Sequence, residues 1–189
     1  MTNPVIETIL SRRSTKYYDS TATLSDDQIR VLVRIGTTAP TSFHMQNWRF
    51  IAVRSAEAKA RLSPIAWHQP AITEASVTFI VCGQLADSSV IPQRLKPVVE
   101  AGIMPERLIP DWEIPARDLY ADYPQRQRDV AVRTGAIGAT AMIYIARSWG
   151  LGSTPMIGFD PDAVHREFEL AENEIPVLLL SVGAERPGN

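Results

Sequence analysis

The chain has 189 residues, 45% of them hydrophobic and 21% charged, which is ordinary globular usage and enough material for one domain with a real core. A formal net charge of −2 provides no field that would draw in nucleic acid or an anionic membrane. One cysteine, Cys82, excludes an intramolecular disulfide framework and fits a reducing compartment.

The N-terminal "MTNPVIETILSRRS" lacks the apolar run and cleavage site of a signal peptide. The longest uncharged apolar stretch, Thr134 to Ala146, falls short of the roughly 20 residues needed to cross a bilayer. The expected location is therefore cytoplasmic, with no membrane partner.

"PVIETILSRR" reads as a first helix, apolar at Val5, Ile6, Ile9 and Leu10, with Pro4 at its start. "SDDQIRVLVRIG" opens with Ser25 and Gln28 in capping-box spacing and carries an apolar face of Ile29, Leu32, Val33 and Gly36. The polar loop "TTAPTSFHMQNWRF" follows, ending in "RFIAVRS", which alternates like a strand. Trp48 and Phe50 are expected in the core. "SAEAKARLS" reads as a helix, and "SVTFIVCGQ" as a strand covered on both faces.

From Ile91 to about Gln127 the pattern dissolves into a proline-rich, mixed-charge region, read as a small helical excursion or lid. "RDVAVRTGAIGATAMIYIARSWG" predicts the longest helix, ending at a C-cap glycine, Gly150. With no charge from Thr134 to Ala146, it is expected to be buried all round, in the domain centre or at a subunit interface. "GLGSTPMIGF" reads as a glycine-rich loop. "DPDAVHREFEL" is a helix capped by Asp160, and "EIPVLLLSVG" a last buried strand. Helices outweigh three or four strands with long helical connections, so the fold class is α+β or α/β around a small sheet, in a single domain over 1–189.

Two segments carry candidate chemistry. Arg12, Arg13, Ser14 and Lys16 put three cations and a hydroxyl within five residues at a helix end. They can hold a phosphate, or merely complement the helix dipole. Thr41, Ser42 and Gln46 offer several short donors and acceptors suited to one edge of a flat polar heterocycle. Three glycines and a proline in "GLGSTPMIGF" allow backbone to come close to a ligand. His44, His68 and His165 have no metal-ligand spacing, so no metal is expected. Cys82, mid-strand, reads as a small buried hydrophobe. No acid–base machine is evident, which points to a cofactor as the source of the chemistry.

In order along the chain, "RRSTKYY", "APTSFHMQNWRF", "GAIGATAMIYIARSWGLGSTPMIGFD" and "IPVLLLSVG" resemble the nitroreductase family of FMN-dependent oxidoreductases. The resemblance implies an α+β sandwich, a small central mixed sheet flanked by helices, in an intertwined homodimer with FMN at the subunit interface. It further implies that Arg12, Ser14 and Lys16, with Arg13 alongside, hold the flavin phosphate and ribityl chain. Pro40, Thr41 and Ser42 approach from the other subunit, with His44 where many members have Asn. Gln69 would lie against the ring edge, and the backbone of Met156, Ile157 and Gly158 near the flavin N5. Lys16 replaces a frequent Arg, keeping the charge without the fork. Members usually continue past the point where "GAERPGN" ends, with a basic tail that adds a phosphate contact. Arg186 is expected to take part of that role.

The activity so implied is ping-pong transfer of two electrons from NADH or NADPH, through the flavin, to a nitroaromatic, quinone or other conjugated small-molecule acceptor. Orientation over the flavin, rather than a catalytic side chain, would supply most of the rate. The alternatives are a relative with a specialised substrate, such as an enone reductase, and a non-catalytic dimer that binds flavin or a nucleotide.

Overall fold

A computed structural model describes residues 3–188. Its four-stranded sheet has the order β1-β2-β4-β3, with β1 at Trp48–Val53, β2 at Val77–Gln84, β3 at Gly152–Met156 and β4 at Glu174–Gly183. The helices are α1 (Pro4–Ser11), α2 (Asp26–Gly36), α3 (Ala56–Ile65), α4 (Pro70–Glu74), α5 (Ile91–Glu100), α6 (Pro110–Tyr120), α7 (Pro124–Ser148) and α8 (Pro161–Glu167). Local chemistry sets many of these ends. Ser25 and Gln28 form a complete capping box on α2, and the Asp160 carboxylate accepts from Ala163 N–H at the start of α8.

The sheet departs from the mixed one expected. All three neighbouring strand pairs run antiparallel, for example Trp48 opposite Gly83 and Gly152 opposite Gly183. Parallel pairing among the described residues is confined to an isolated bridge, Ser14 to Ser153. A helical connection does not by itself fix strand direction. Here α3 and α4 together return the chain to the sheet end it left, so β2 runs back along β1. β3, read from sequence as a loop, is a short edge strand, where Pro155 is tolerated.

Helices cover both faces of the sheet. Leu62, Ala66, Ile72 and Val164 pack with Ile80, Cys82 and Leu179 on one side. Leu32, Ala139 and Met142 pack with Phe79, Val81 and Leu180 on the other. The alternation along β2 thus serves two cores at once, and its whole length but Gln84 is buried. A third cluster lies outside this sandwich. Leu95 of α5, Ala116 and Tyr120 of α6 and Val130 of α7 pack with Met45 there. The proline-rich stretch is therefore helical, and Pro92, Pro110 and Pro124 stand in first turns, where no intrahelical N–H is needed.

Two burial expectations change. Trp48 and Phe50 are only half-buried, because β1 is an edge strand, while the adjacent buried residues are Met45 and Asn47. On α7 the small residues face this chain's own sheet. A Cβ on Gly138 would lie 2.9 Å from the Phe50 ring, and one on Gly135 would lie 3.0 Å from Val177. The opposite face, with Ile137 and Thr140, is exposed, so the helix is not buried all round in the single chain.

Candidate functional site

The candidate residues fall on two edges of the sheet. At the β3 edge, α1 ends at Ser11, and Arg12 enters extended backbone at φ −68° and ψ 133°. The next residues run beside β3: Ser14 bridges to Ser153, and Thr15 N–H donates to the Ser153 carbonyl at 3.1 Å. Gly152 makes this approach possible, since a Cβ there would meet Thr15 Oγ1 at 2.2 Å. Thr15 Oγ1 donates to Glu185 at 2.7 Å. Arg147 lies 3.7 Å from the same carboxylate and donates to Ser11 Oγ at 3.0 Å. Tyr18 OH sits 2.9 Å from Thr154 Oγ1 and 3.2 Å from the Ser181 carbonyl, and burial pushes its phenol well above the usual range. This network pins the segment while Arg12 stays half-buried and Arg13, Ser14 and Lys16 remain exposed.

At the far end of β3 the structure brings Gln69 and Gly158 together. Gln69 Nε2 donates to the Gly158 carbonyl at 2.7 Å and to the Ala66 carbonyl at 3.2 Å. Met156 is buried beneath, whereas Ile157 is 84% exposed. At about 3.3 Å per strand residue, the three steps from Ser153 to Met156 separate the cation segment from this amide end by about 10 Å. Cations and amide thus line one edge.

Pro40, Thr41, Ser42 and His44 lie at the opposite edge, just before β1. Thr41 Oγ1 accepts from Gln46 N–H at 3.1 Å, and His44 Nε2 is 2.8 Å from Gln46 Nε2. Ser42 Oγ is 2.9 Å from Tyr120 OH. Phe43, His44 and Gln46 have φ of 48°, 56° and 48°, strain typical of a shaped site. Since β2 and β4 stand between the two edges, one chain does not join this loop to the β3 group.

Arg186 lies next to the cation segment, half of its side chain exposed. Its guanidinium is 3.4 Å from Glu74 and donates to the Tyr18 carbonyl at 3.3 Å. Cys82 is buried, its thiol pushed up to about 12 by burial, so it offers no nucleophile. His165 Nε2 is 3.1 Å from the Ala171 carbonyl in a local turn. Among the described residues, none form a cluster that could hold a metal ion, and no helix is long and apolar enough to cross a membrane. Sequence reasoning missed Trp67, whose ring lies against Gly158. Its one signal was an aromatic beside Gln69 in "WHQP".

The sequence and the fold have known counterparts. The chain is 29% identical over 186 residues to a protein named as an NAD(P)H nitroreductase, YdgI of Bacillus subtilis, covering 96% of this chain and 88% of the relative. It is 26% identical over 174 residues to a Thermus thermophilus protein named NADH dehydrogenase, covering 92% of this chain and 83% of the relative. A solved structure of a protein named as a nitroreductase from Exiguobacterium sibiricum 255-15, in complex with FMN, superposes with a TM-score of 0.91 at 26% identity. That match covers 100% of this chain and 91% of the other. Residues 9–184 match the Nitroreductase family, and with nearly the whole sandwich inside that match, the chain belongs to this family.

Proposed function

We propose that this chain is an FMN-dependent oxidoreductase. It draws electrons from NADH or NADPH and reduces a nitroaromatic, quinone or related conjugated acceptor. The observation that carries the reading is the β3 edge, with phosphate-type donors at one end and a fixed amide beside exposed main chain at the other. The donor set fits FMN, which has an anionic phosphate at one end and a flat heterocycle rich in acceptors and donors at the other. When bound, FMN would supply the two-electron redox chemistry that these side chains lack, between the nicotinamide donor and the acceptor of a ping-pong cycle.

The chain's own residues bind and orient. Arg12, Arg13 and Lys16, with the Ser14 hydroxyl, neutralise and hold the phosphate. Gln69, anchored on Gly158, presents its amide to the ring edge, and the main chain of Met156, Ile157 and Gly158 lies along the same edge. Pro40, Thr41, Ser42 and His44 complete the site from a second copy of the chain, which is how the two sheet edges come to share one ligand. The exposed apolar residues of α1, with Leu10 at 79%, and the groove that Val5 and Ile9 form with Tyr144 and Ile145 support a homodimer. Arg186 braces the cation segment through Glu74 and the Tyr18 carbonyl. The helical excursion of 91–127 borders the second group and is placed to gate the acceptor.

The test is an absorbance spectrum of the purified protein, followed by anaerobic titration with NADH and with NADPH, then turnover with a quinone. A flavin spectrum bleached by either nicotinamide is expected. A colourless protein that also takes up no added FMN overturns the reading.

A further inference from the structure

Trp67 and His68 occupy the turn between α3 and α4 with φ of 53° and 56°. Two successive side-chain-bearing residues in the left-handed region are costly, and such strain persists only where the surroundings enforce it. Here Trp67 N–H donates to Pro64 at 3.3 Å, His68 N–H to Ser63 at 2.8 Å and Gln69 N–H to Ala66 at 3.2 Å, all carbonyls. The turn also delivers Gln69 to Gly158, as described above. Its second product is the indole itself. One edge of the ring rests on Gly158, where an added Cβ would lie 3.0 Å from Cζ3 and 3.2 Å from Cε3. The rest of it is open, and Trp67 is 68% exposed.

The turn thus keeps a large aromatic exposed beside a hydrogen-bonded amide, where its π face is available to a ligand. The indole face is electron-rich, so it favours cationic or electron-poor flat rings over saturated ones of equal size. We infer that Trp67 is a specificity-determining residue that stacks on an electron-poor planar ring, either the acceptor's or the oxidised nicotinamide's. This inference rests on the functional reading above, and it adds a residue that the reading did not contain, with the contact by which that residue would select the ring. Gly158 is then small for two reasons, since a side chain there would displace both the indole and the Gln69 amide.

The test is calorimetric, on oxidised holoprotein without reductant, so that binding is read apart from turnover. Wild type, Trp67→Leu and Trp67→Phe, each with FMN occupancy checked by absorbance, are titrated with para-nitrobenzoate, N-methylnicotinamide cation and cyclohexanecarboxylate. Trp67→Leu should weaken para-nitrobenzoate about five- to tenfold, leave cyclohexanecarboxylate within twofold, and be largely rescued in Trp67→Phe. A parallel loss for N-methylnicotinamide assigns the stack to both rings, and an unchanged value assigns it to the acceptor alone. A loss for N-methylnicotinamide alone assigns the stack to the nicotinamide, whereas unchanged binding of both rings in a flavin-loaded Trp67→Leu protein overturns the inference and leaves the functional reading standing. Conversion of the dimer to monomers by Trp67→Leu in light scattering also overturns it, by giving the ring to the subunit contact. A wild-type protein that takes up no FMN overturns both.

Discussion

The two edges of the sheet hold their candidate residues by different means. At the β3 edge the chain is tied by polar bonds among Thr15, Tyr18, Thr154, Glu185 and Arg147. The Arg12–Lys16 backbone is thereby fixed before any anion arrives. At the β1 edge the loop adopts three positive φ values, its polar bonds run mostly within the loop itself, and packing joins it to the rest of the fold, with Met45 inside the third cluster and Phe43 edge-on to Tyr120. The helical excursion shares a core with Phe43 and Met45, so a movement of 91–127, were it to gate the site, would be expected to carry Pro40 to His44 along with it.

The largest expected effect breaks the packed edge. Met45→Ala should cost about 2–5 kcal/mol, as for a fully buried methionine. It should lower the melting temperature and, with it, FMN retention. A small stability loss would show that the loop keeps its shape without the excursion. The polar edge is tested next, at its amide end. Ile157→Pro removes a main-chain N–H and should slow stopped-flow flavin reduction about a hundredfold or more at matched FMN occupancy, the scale of one lost oxyanion-type donor. Ile157→Ala and Cys82→Ala should stay close to wild type, and the opposite ranking would place the chemistry on a side chain.

Arg12→Ala should weaken FMN by about 1.5–3 kcal/mol in a fluorescence titration while sparing the fold, since the network around Thr15 does not depend on it. The smallest effect concerns the tie across the β1 edge. Glu174 is buried and binds Arg49 at 2.7 Å and Gln84 at 3.2 Å. Burial pushes its carboxyl up, but the Ala171 N–H, the Arg49 guanidinium and the Gln84 amide outweigh that, and the net shift is downward. A lowered folded pKa contributes stability that is fully present above the ordinary carboxylate value of about 4.3 and is lost as pH falls through the folded value. Thermal melts of wild type should therefore fall off below about pH 4, and Glu174→Gln should flatten that acid limb. An identical limb in both would assign it to other carboxylates.

Much of the fold was legible because its signals are local. The Ser25–Gln28 box, the Asp160 cap and the apolar run of β4 each state their element within a few residues. β3 was hidden because Gly152 and Pro155 are poor strand formers, and what makes them a strand is pairing with Gly183 and Leu180. The prolines of 91–127 suggested broken structure when three of them begin helices, and telling these apart requires knowing where each helix starts. In the site, the charges of Arg12 to Lys16 were visible as chemistry. The Gln69–Gly158 contact spans 89 positions, a pairing that no spacing rule connects. The turn at Trp67 was silent because neither Trp nor His signals a left-handed backbone.

α1 has a consequence for how the protein behaves on dilution. It is eight residues long, with none of them buried in the single chain, and helices this short are marginal on their own in water. Its last turn leads straight into Arg12. In the dimer proposed above, a second copy covers the apolar side of α1 and brings its own Pro40–His44 loop to the pinned cation segment, so completion of the site becomes linked by mass action to protein concentration. FMN affinity would then be a property of the assembly, weakening as the protein is diluted towards single chains, and added FMN would in turn raise the strength of the subunit contact.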